Sequence, residues 1–139
     1  MSAKVLVVDD SPLVRAQVSA TLVLQGCAVT QAQNGIDAMA KIEALGGADI
    51  VVCDVNMPLM GGLEFLQNLR RHPAHAGTSV VMLTTEGNHE CVLKAKELGV
   101  KGWIMKPFKM NVLLAVVKRI LERDGHPTTI VAPPDSTRE

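Results

Sequence analysis

Short apolar runs alternate with helical stripes along the chain. Val5–Val8, Cys27–Gln31, Ile50–Cys53, Val80–Leu83 and Gly102–Met105 are runs of four or five residues, mostly aliphatic. Such runs, bounded by polar or turn residues, predict strands. Between them apolar residues return at helical spacing. The stripes are Val14, Val18 and Leu22; Ala38, Ile42 and Leu45; Phe65, Leu66 and Leu69; Val92, Ala95 and Leu98; and Leu114, Val117 and Leu121. Ser11 is a candidate N-cap with Pro12 at the first helical position, and Gly99 is placed to end the fourth helix. Asn34-Gly35 reads as the turn before the second. Five β-α units in strict alternation predict an α/β fold, a doubly wound parallel sheet with helices on both faces. The first and third runs are apolar throughout, as strands buried on both faces are. After Asp124 the character changes: GHPTTIVAPPDSTRE is rich in Pro and Thr and has no period. A domain over residues 1–124 with a flexible tail at 125–139 is expected.

Composition narrows the reading. Hydrophobic residues make up 47% of the 139 positions and aromatics only 2%, so the core must be aliphatic. Fourteen basic and fourteen acidic residues cancel, which argues against a surface built for DNA or for anionic lipid. Cys27, Cys53 and Cys91 are odd in number, widely spaced and set among apolar residues. They are expected to be buried free thiols in a reducing cytoplasm rather than disulfides or zinc ligands. Asp9 interrupts the first apolar run too early for a signal peptide, and Val112–Val117 is too short to span a membrane.

The chemistry lies in the polar residues that end the strands. Asp9 and Asp10 follow the first run at once, although two like charges ~4 Å apart repel by roughly 1 kcal/mol in water and about 4 kcal/mol near a protein surface. In doubly wound sheets, ligands bind beyond the carboxyl ends of the strands. Asp54 ends the third run, Thr84 the fourth, and Lys106 follows the fifth. Singly, each has an ordinary explanation: a turn or cap for an Asp, a helix cap for Thr84, a solvated charge for Lys106. Jointly, they fall on one predicted rim. The donors are all hard oxygens, so Mg²⁺ is the expected ion. A carboxylate beside a dication and an ammonium is a nucleophile toward phosphorus and would give an acyl phosphate. No GxGxxG or P-loop follows the first strand. His72, His75, His89 and His126 show no ligand spacing, and Met57 and Met60 are expected to pack around the loop after Asp54.

VVDDS, CDVNMPLMGG, LTTE and KGWIMKPF occur in that order. In this the chain resembles the receiver domains of two-component response regulators, CheY-like single-domain regulators in particular, over about residues 3 to 124. The resemblance implies a flavodoxin-like, five-stranded sheet of order 2-1-3-4-5 with five helices. It implies Asp54 as phosphoacceptor and Mg²⁺ bound by Asp10, the Asp54 side chain and the Asn56 carbonyl, with Asp9 acting through water. Lys106 would pair with the phosphoryl group or with Asp54, and Thr84 would donate to a phosphoryl oxygen. Trp103 stands at the switch aromatic, turning inward as Thr84 moves, and Lys106-Pro107 matches a bond often cis. The fourth helix, fifth strand and fifth helix would form the readout face.

Two positions depart from the pattern. Thr85 replaces a small residue and is expected to restrict access to Asp54, and Trp103 is larger than the usual ring. Asn56 and Glu86 match a pair that tunes phosphoryl loss in chemotaxis regulators, which implies a short-lived signal. The expected partners are a histidine kinase and a downstream protein such as a flagellar motor switch component, with no DNA and no membrane. The chain is expected to be a monomeric, non-enzymatic receiver that stands alone, because no output domain follows Asp124, and the resemblance of KGWIMKPF and the Asn56/Glu86 pair implies a role in chemotaxis. A phosphorelay or phosphate-sink receiver is the nearest alternative. A Mg²⁺-dependent phosphatase is the remote one, since such enzymes carry a second acid where Asn56 stands.

Overall fold

Strands and helices alternate without exception in the computed structural model, which describes residues 3–85 and 89–125. The elements are β1 (Lys4–Val8), α1 (Pro12–Leu24), β2 (Ala28–Ala32), α2 (Gly35–Leu45), β3 (Ile50–Asp54), α3 (Gly62–Arg71), β4 (Ser79–Thr84), α4 (His89–Glu97), β5 (Gly102–Met105) and α5 (Met110–Arg123). All strand pairs are parallel and the order is 2-1-3-4-5, as expected. The tail assigned to residues 125–139 lies, from 126 onward, outside the described residues. Among the described residues no helix is long and apolar enough to cross a membrane.

The caps explain where the elements start. Ser11 Oγ accepts from the Val14 N–H at 3.3 Å and Pro12 opens α1. Asn34 proves to be a cap rather than a free turn: its Oδ1 accepts from the Asp37 N–H at 2.9 Å, and Gly35 is already helical. β2 starts one residue later than the apolar run suggests, because the Cys27 N–H donates back to Leu22 O at 3.1 Å and closes the end of α1. Gly99 ends the α4 segment at φ +76°, a conformation that glycine adopts without steric cost.

Period-two alternation in the strands divides the core into two layers. Val5, Val7, Ile50, Val52, Val81 and Leu83 face α1 and α5, where Val18, Leu22, Leu113, Val117 and Leu121 meet them. Leu6, Val8, Val51, Cys53, Val80 and Met82 face the other way, onto Ala38 and Ile42 of α2 and Phe65, Leu66 and Leu69 of α3. β1, β3 and β4 are the inner strands, and β3 and β4 are buried along their whole length. Each fully buried Leu or Ile is worth roughly 1.5–3 kcal/mol, so a core nearly free of rings still holds.

Two contacts set how the helices sit on this sheet. Arg70, at the end of α3, donates to Leu98 O at 2.6 Å, Thr78 O at 2.7 Å, Ala76 O at 3.1 Å and Gly99 O at 3.3 Å. Burial pushes its guanidinium below the ordinary value. Gly62 begins α3 directly beneath β3, and its N–H donates to Val55 O at 2.9 Å. A Cβ at Gly62 would overlap Asp54 O and press on Val55 Cα at 3.0 Å.

Gly62→Ala is therefore expected to destabilise the fold by about 1–3 kcal/mol, as overpacking does. Urea unfolding measures it. An unchanged midpoint would show that α3 can back away from Asp54 without cost.

Candidate functional site

Strand register decides which side chains meet. Val8 of β1 pairs with Cys53 of β3, so the next residues, Asp9 and Asp54, emerge side by side at the carboxyl edge. Thr84 ends β4 beside β3 and pairs with Met105 of β5, which places Lys106 one step further along the same edge. The Lys106 N–H donates to Thr84 O at 2.7 Å. This edge is also where the sheet order reverses, between β1 and β3, the position at which doubly wound sheets form their crevice.

The three carboxylates expected to gather do so. One oxygen from each of Asp9, Asp10 and Asp54 lies within 4.8 Å of the others. Asp9 and Asp54 are buried, while Asp10 is exposed. Asp9 is held from several sides: its Oδ1 accepts from the Ser11 N–H at 2.9 Å, its Oδ2 from Lys106 Nζ at 2.8 Å, and its carbonyl from Arg15 at 2.6 Å. Lys106 Nζ also stands 3.4 Å from Asp54 Oδ1. Lys106 thus serves Asp9 more closely than Asp54. That role was legible only in part, since Asp9-x-Ser11 is an Asx-turn spacing but nothing local marks Arg15 or Lys106 as its partners.

The electrostatics follow from crowding. Burial, and then the charge of Asp9, push the Asp54 carboxyl up from 3.8 to about 6, against the lowering effect of Lys106. Asp10 adds to the rise. Burial works against the Lys106 ammonium, but its bond to Asp9 and the charges of Asp54 and Asp9 hold its pKa above the ordinary value. Burial, with Asp54 and Asp9, also keeps the Cys53 thiol protonated; its Sγ donates to Asp54 O at 3.3 Å. A buried carboxyl held above its ordinary value beside two further acids, all of them oxygen donors, fits a site for a hard dication.

The remaining candidates take varied positions. Thr84 is fully buried, Thr85 and Asn56 are exposed, and Trp103 is half-buried against the core layer of α2 and α3. Glu86 lies outside the described residues. The Lys106-Pro107 bond is cis. Met57 and Met60 pack against the α2–α3 layer, and the Met60 side chain fills the space a Cβ at Gly35 would need. Leu59, in the same loop, is exposed and adopts φ +69°, which is strained for a leucine. His72 and His75, which show no ligand spacing along the sequence, are brought together with Glu43.

The raised Asp54 pKa has a stability consequence. The folded chain holds that proton more tightly than the unfolded chain does, so its contribution is present at low pH and is lost as pH rises from about 4 through about 6. In metal-free buffer Asp54→Asn should therefore exceed wild type in stability at pH 7.5, by on the order of 2 kcal/mol. The gap should close at pH 4. Chemical unfolding at both pH values reads it; a gap independent of pH would reject the assignment.

Comparison with known proteins agrees with this geometry. Residues 5–118 match the family model of the response regulator receiver domain. Chemotaxis protein CheY1 of Helicobacter pylori is 34% identical over 119 residues, which cover 85% of this chain and 96% of CheY1. The solved structure of the chemotaxis response regulator CheY4 of Vibrio cholerae superposes with a TM-score of 0.81 at 40% identity, covering 87% of this chain and all of that one. The BeF3-activated receiver domain of DrrB gives a TM-score of 0.78 at 34% identity, over 88% of this chain. A probable transcriptional regulator of Pyropia yezoensis, ycf29, is 30% identical over 89% of this chain but 55% of its own length. With its strand order, its acidic edge and these matches, the chain belongs to the family of response regulator receiver domains.

Proposed function

We propose that the protein accepts a phosphoryl group on Asp54 from a histidine kinase, with Mg²⁺, and signals through the surface formed by α4, β5 and α5. The observation that carries this reading is the meeting of Asp9, Asp10, Asp54 and Lys106 at the β1–β3 switch point. Asp10, Asp54 and the Asn56 carbonyl would hold the ion, with Asp9 acting through water. Bound there, Mg²⁺ supplies charge neutralisation for the phosphoryl oxygens and relieves the repulsion among the acids.

The chain's own groups do the rest. An oxygen of ionised Asp54 attacks phosphorus, the N–P bond of the donor breaks, and its electron pair returns to the donor imidazole. The product is a mixed anhydride on Asp54. Even in the metal-free protein, with its pKa raised to about 6, the Asp54 carboxyl is ionised at neutral pH, so it needs no separate base to act as the nucleophile. Lys106, positioned by Asp9, meets the new phosphoryl charge, roughly −1.5 to −2 units. Thr84, buried at the end of β4, donates its hydroxyl, and its displacement opens space for Trp103 on the neighbouring strand. A partner that prefers one arrangement shifts the same equilibrium. Exposed Asn56 and Thr85 stand where they can limit water and donor access, and Glu86 is assigned to the same tuning.

The similarity to the chemotaxis proteins CheY1 and CheY4 supports chemotaxis as the output; the target we assign to it is a flagellar motor switch component. Cys27 and Cys53 are buried thiols, which suits a reducing cytoplasm.

Incubation with acetyl phosphate and Mg²⁺ should add one phosphoryl group to wild type by intact mass and none to Asp54→Asn. EDTA should abolish the gain, and Lys106→Ala should slow it at least about tenfold. Equal modification of Asp54→Asn would overturn the site.

Trp103 fluorescence should change in step with the mass gain, and the change should be absent in Asp54→Asn. A constant emission during full phosphorylation would remove Trp103 from the switch and leave the chemistry in place.

A further inference from the structure

Three further metal-binding side chains meet at the other end of the sheet. Glu43 lies near the end of α2, and His72 and His75 follow α3, where both helices have returned to the amino ends of β3 and β4. Glu43 Oε2 contacts His72 Nε2 and stands 3.8 Å from His75 Nε2. One ligand atom from each residue lies within 4.8 Å of the other two. The two imidazole rings are 4.4 Å apart, centre to centre.

A simple histidine–glutamate hydrogen bond accounts for His72 and Glu43 but not for His75. The His75 side chain is only 4% exposed, and its Nε2 is too far from the carboxylate for a direct bond. That ring's close neighbours are the Glu43 carboxylate and the tilted ring of His72. Two nitrogens and one oxygen on a tetrahedral dication with bonds of about 2.0–2.1 Å would be about 3.3–3.4 Å apart. Glu43 needs only a small step away from His72 to reach that spacing. Its side chain is 53% exposed, so it has the freedom to move and leaves an entry path for an ion. Pro73, between the histidines, fixes its own φ and limits the freedom of the turn that sets their spacing.

We propose that Glu43, His72 and His75 form a second metal site, for a borderline divalent ion such as Zn²⁺, with its fourth position open to water. Two imidazoles and one carboxylate are the donor set of such ions, and a poor one for Mg²⁺. Binding at His72 Nε2 moves that ring's proton to Nδ1, which accepts from the Ala74 N–H at 3.2 Å in the free protein. Ala74 is exposed, so its N–H turns to water. The loaded site ties α2 to the turn between α3 and β4 and stabilises the folded chain by mass action.

The test uses the full chain carrying Asp10→Asn and Asp54→Asn, so that the acidic edge does not compete. Titration calorimetry with ZnCl₂ should show one ion per chain with micromolar affinity. Co²⁺ should develop visible absorption of an imidazole-bound ion, and the His75 ring resonances should shift on Zn²⁺ addition. His72→Ala should weaken Zn²⁺ binding at least about tenfold while the chain keeps its circular dichroism spectrum. Absence of uptake, or uptake unaffected by His72→Ala and silent at His75, overturns the proposal.

Discussion

Parallel pairing of β1 with β3 places two acids in adjacent positions at the edge of the sheet, and the rest of the site is arranged around that fact. Asp9 and Asp54 are both buried there, and one ammonium, Lys106, lies within reach of both. A one-residue slip in β1 would exchange its two faces and send Asp9 out of the crevice. The apolar alternation that builds two core layers therefore fixes the chemistry as well. Packing and function share one register.

Within that frame the acids have unequal surroundings. Asp9 accepts one hydrogen bond on each carboxylate oxygen, from Ser11 and Lys106, and one on its carbonyl from Arg15, and is the fixed member. Asp54 has a looser contact with Lys106 and a carboxyl pushed upward by burial and then by the charge of Asp9. The charge of Asp9 is compensated by its hydrogen bonds, while Asp54 has fewer to offset its burial. Gly62 completes the arrangement from below by letting α3 begin against the Asp54 carbonyl.

Much of this was legible in the chain. The β-α alternation and the apolar runs lead to the elements within a residue or so, because inner strands buried on both faces leave an unmistakable pattern. Asp9, Asp10, Asp54, Thr84 and Lys106 could be placed because each follows its strand directly. What could not be read depends on which distant segments the fold brings together. Lys106 bonds Asp9 across 97 residues, and Arg70 reaches Leu98 across 28. Glu43 meets His72 and His75 only because α2 and α3 pack side by side. No local spacing announces such contacts. The glycine pair after Met60 closes the CDVNMPLMGG motif, but the requirement for Gly62 rests on a close approach visible only in three dimensions.

Arg70 has a mechanical meaning beyond its hydrogen bonds. It acts as a non-covalent crosslink between the last turn of α3 and the peptide groups at Leu98 and Gly99, and so closes a loop that contains all of β4 and α4. Thr84 lies inside that loop. The two ends of the segment that carries Thr84 and α4 are thus held together through one side chain. A lysine, with one point charge, could not moor four carbonyls at once.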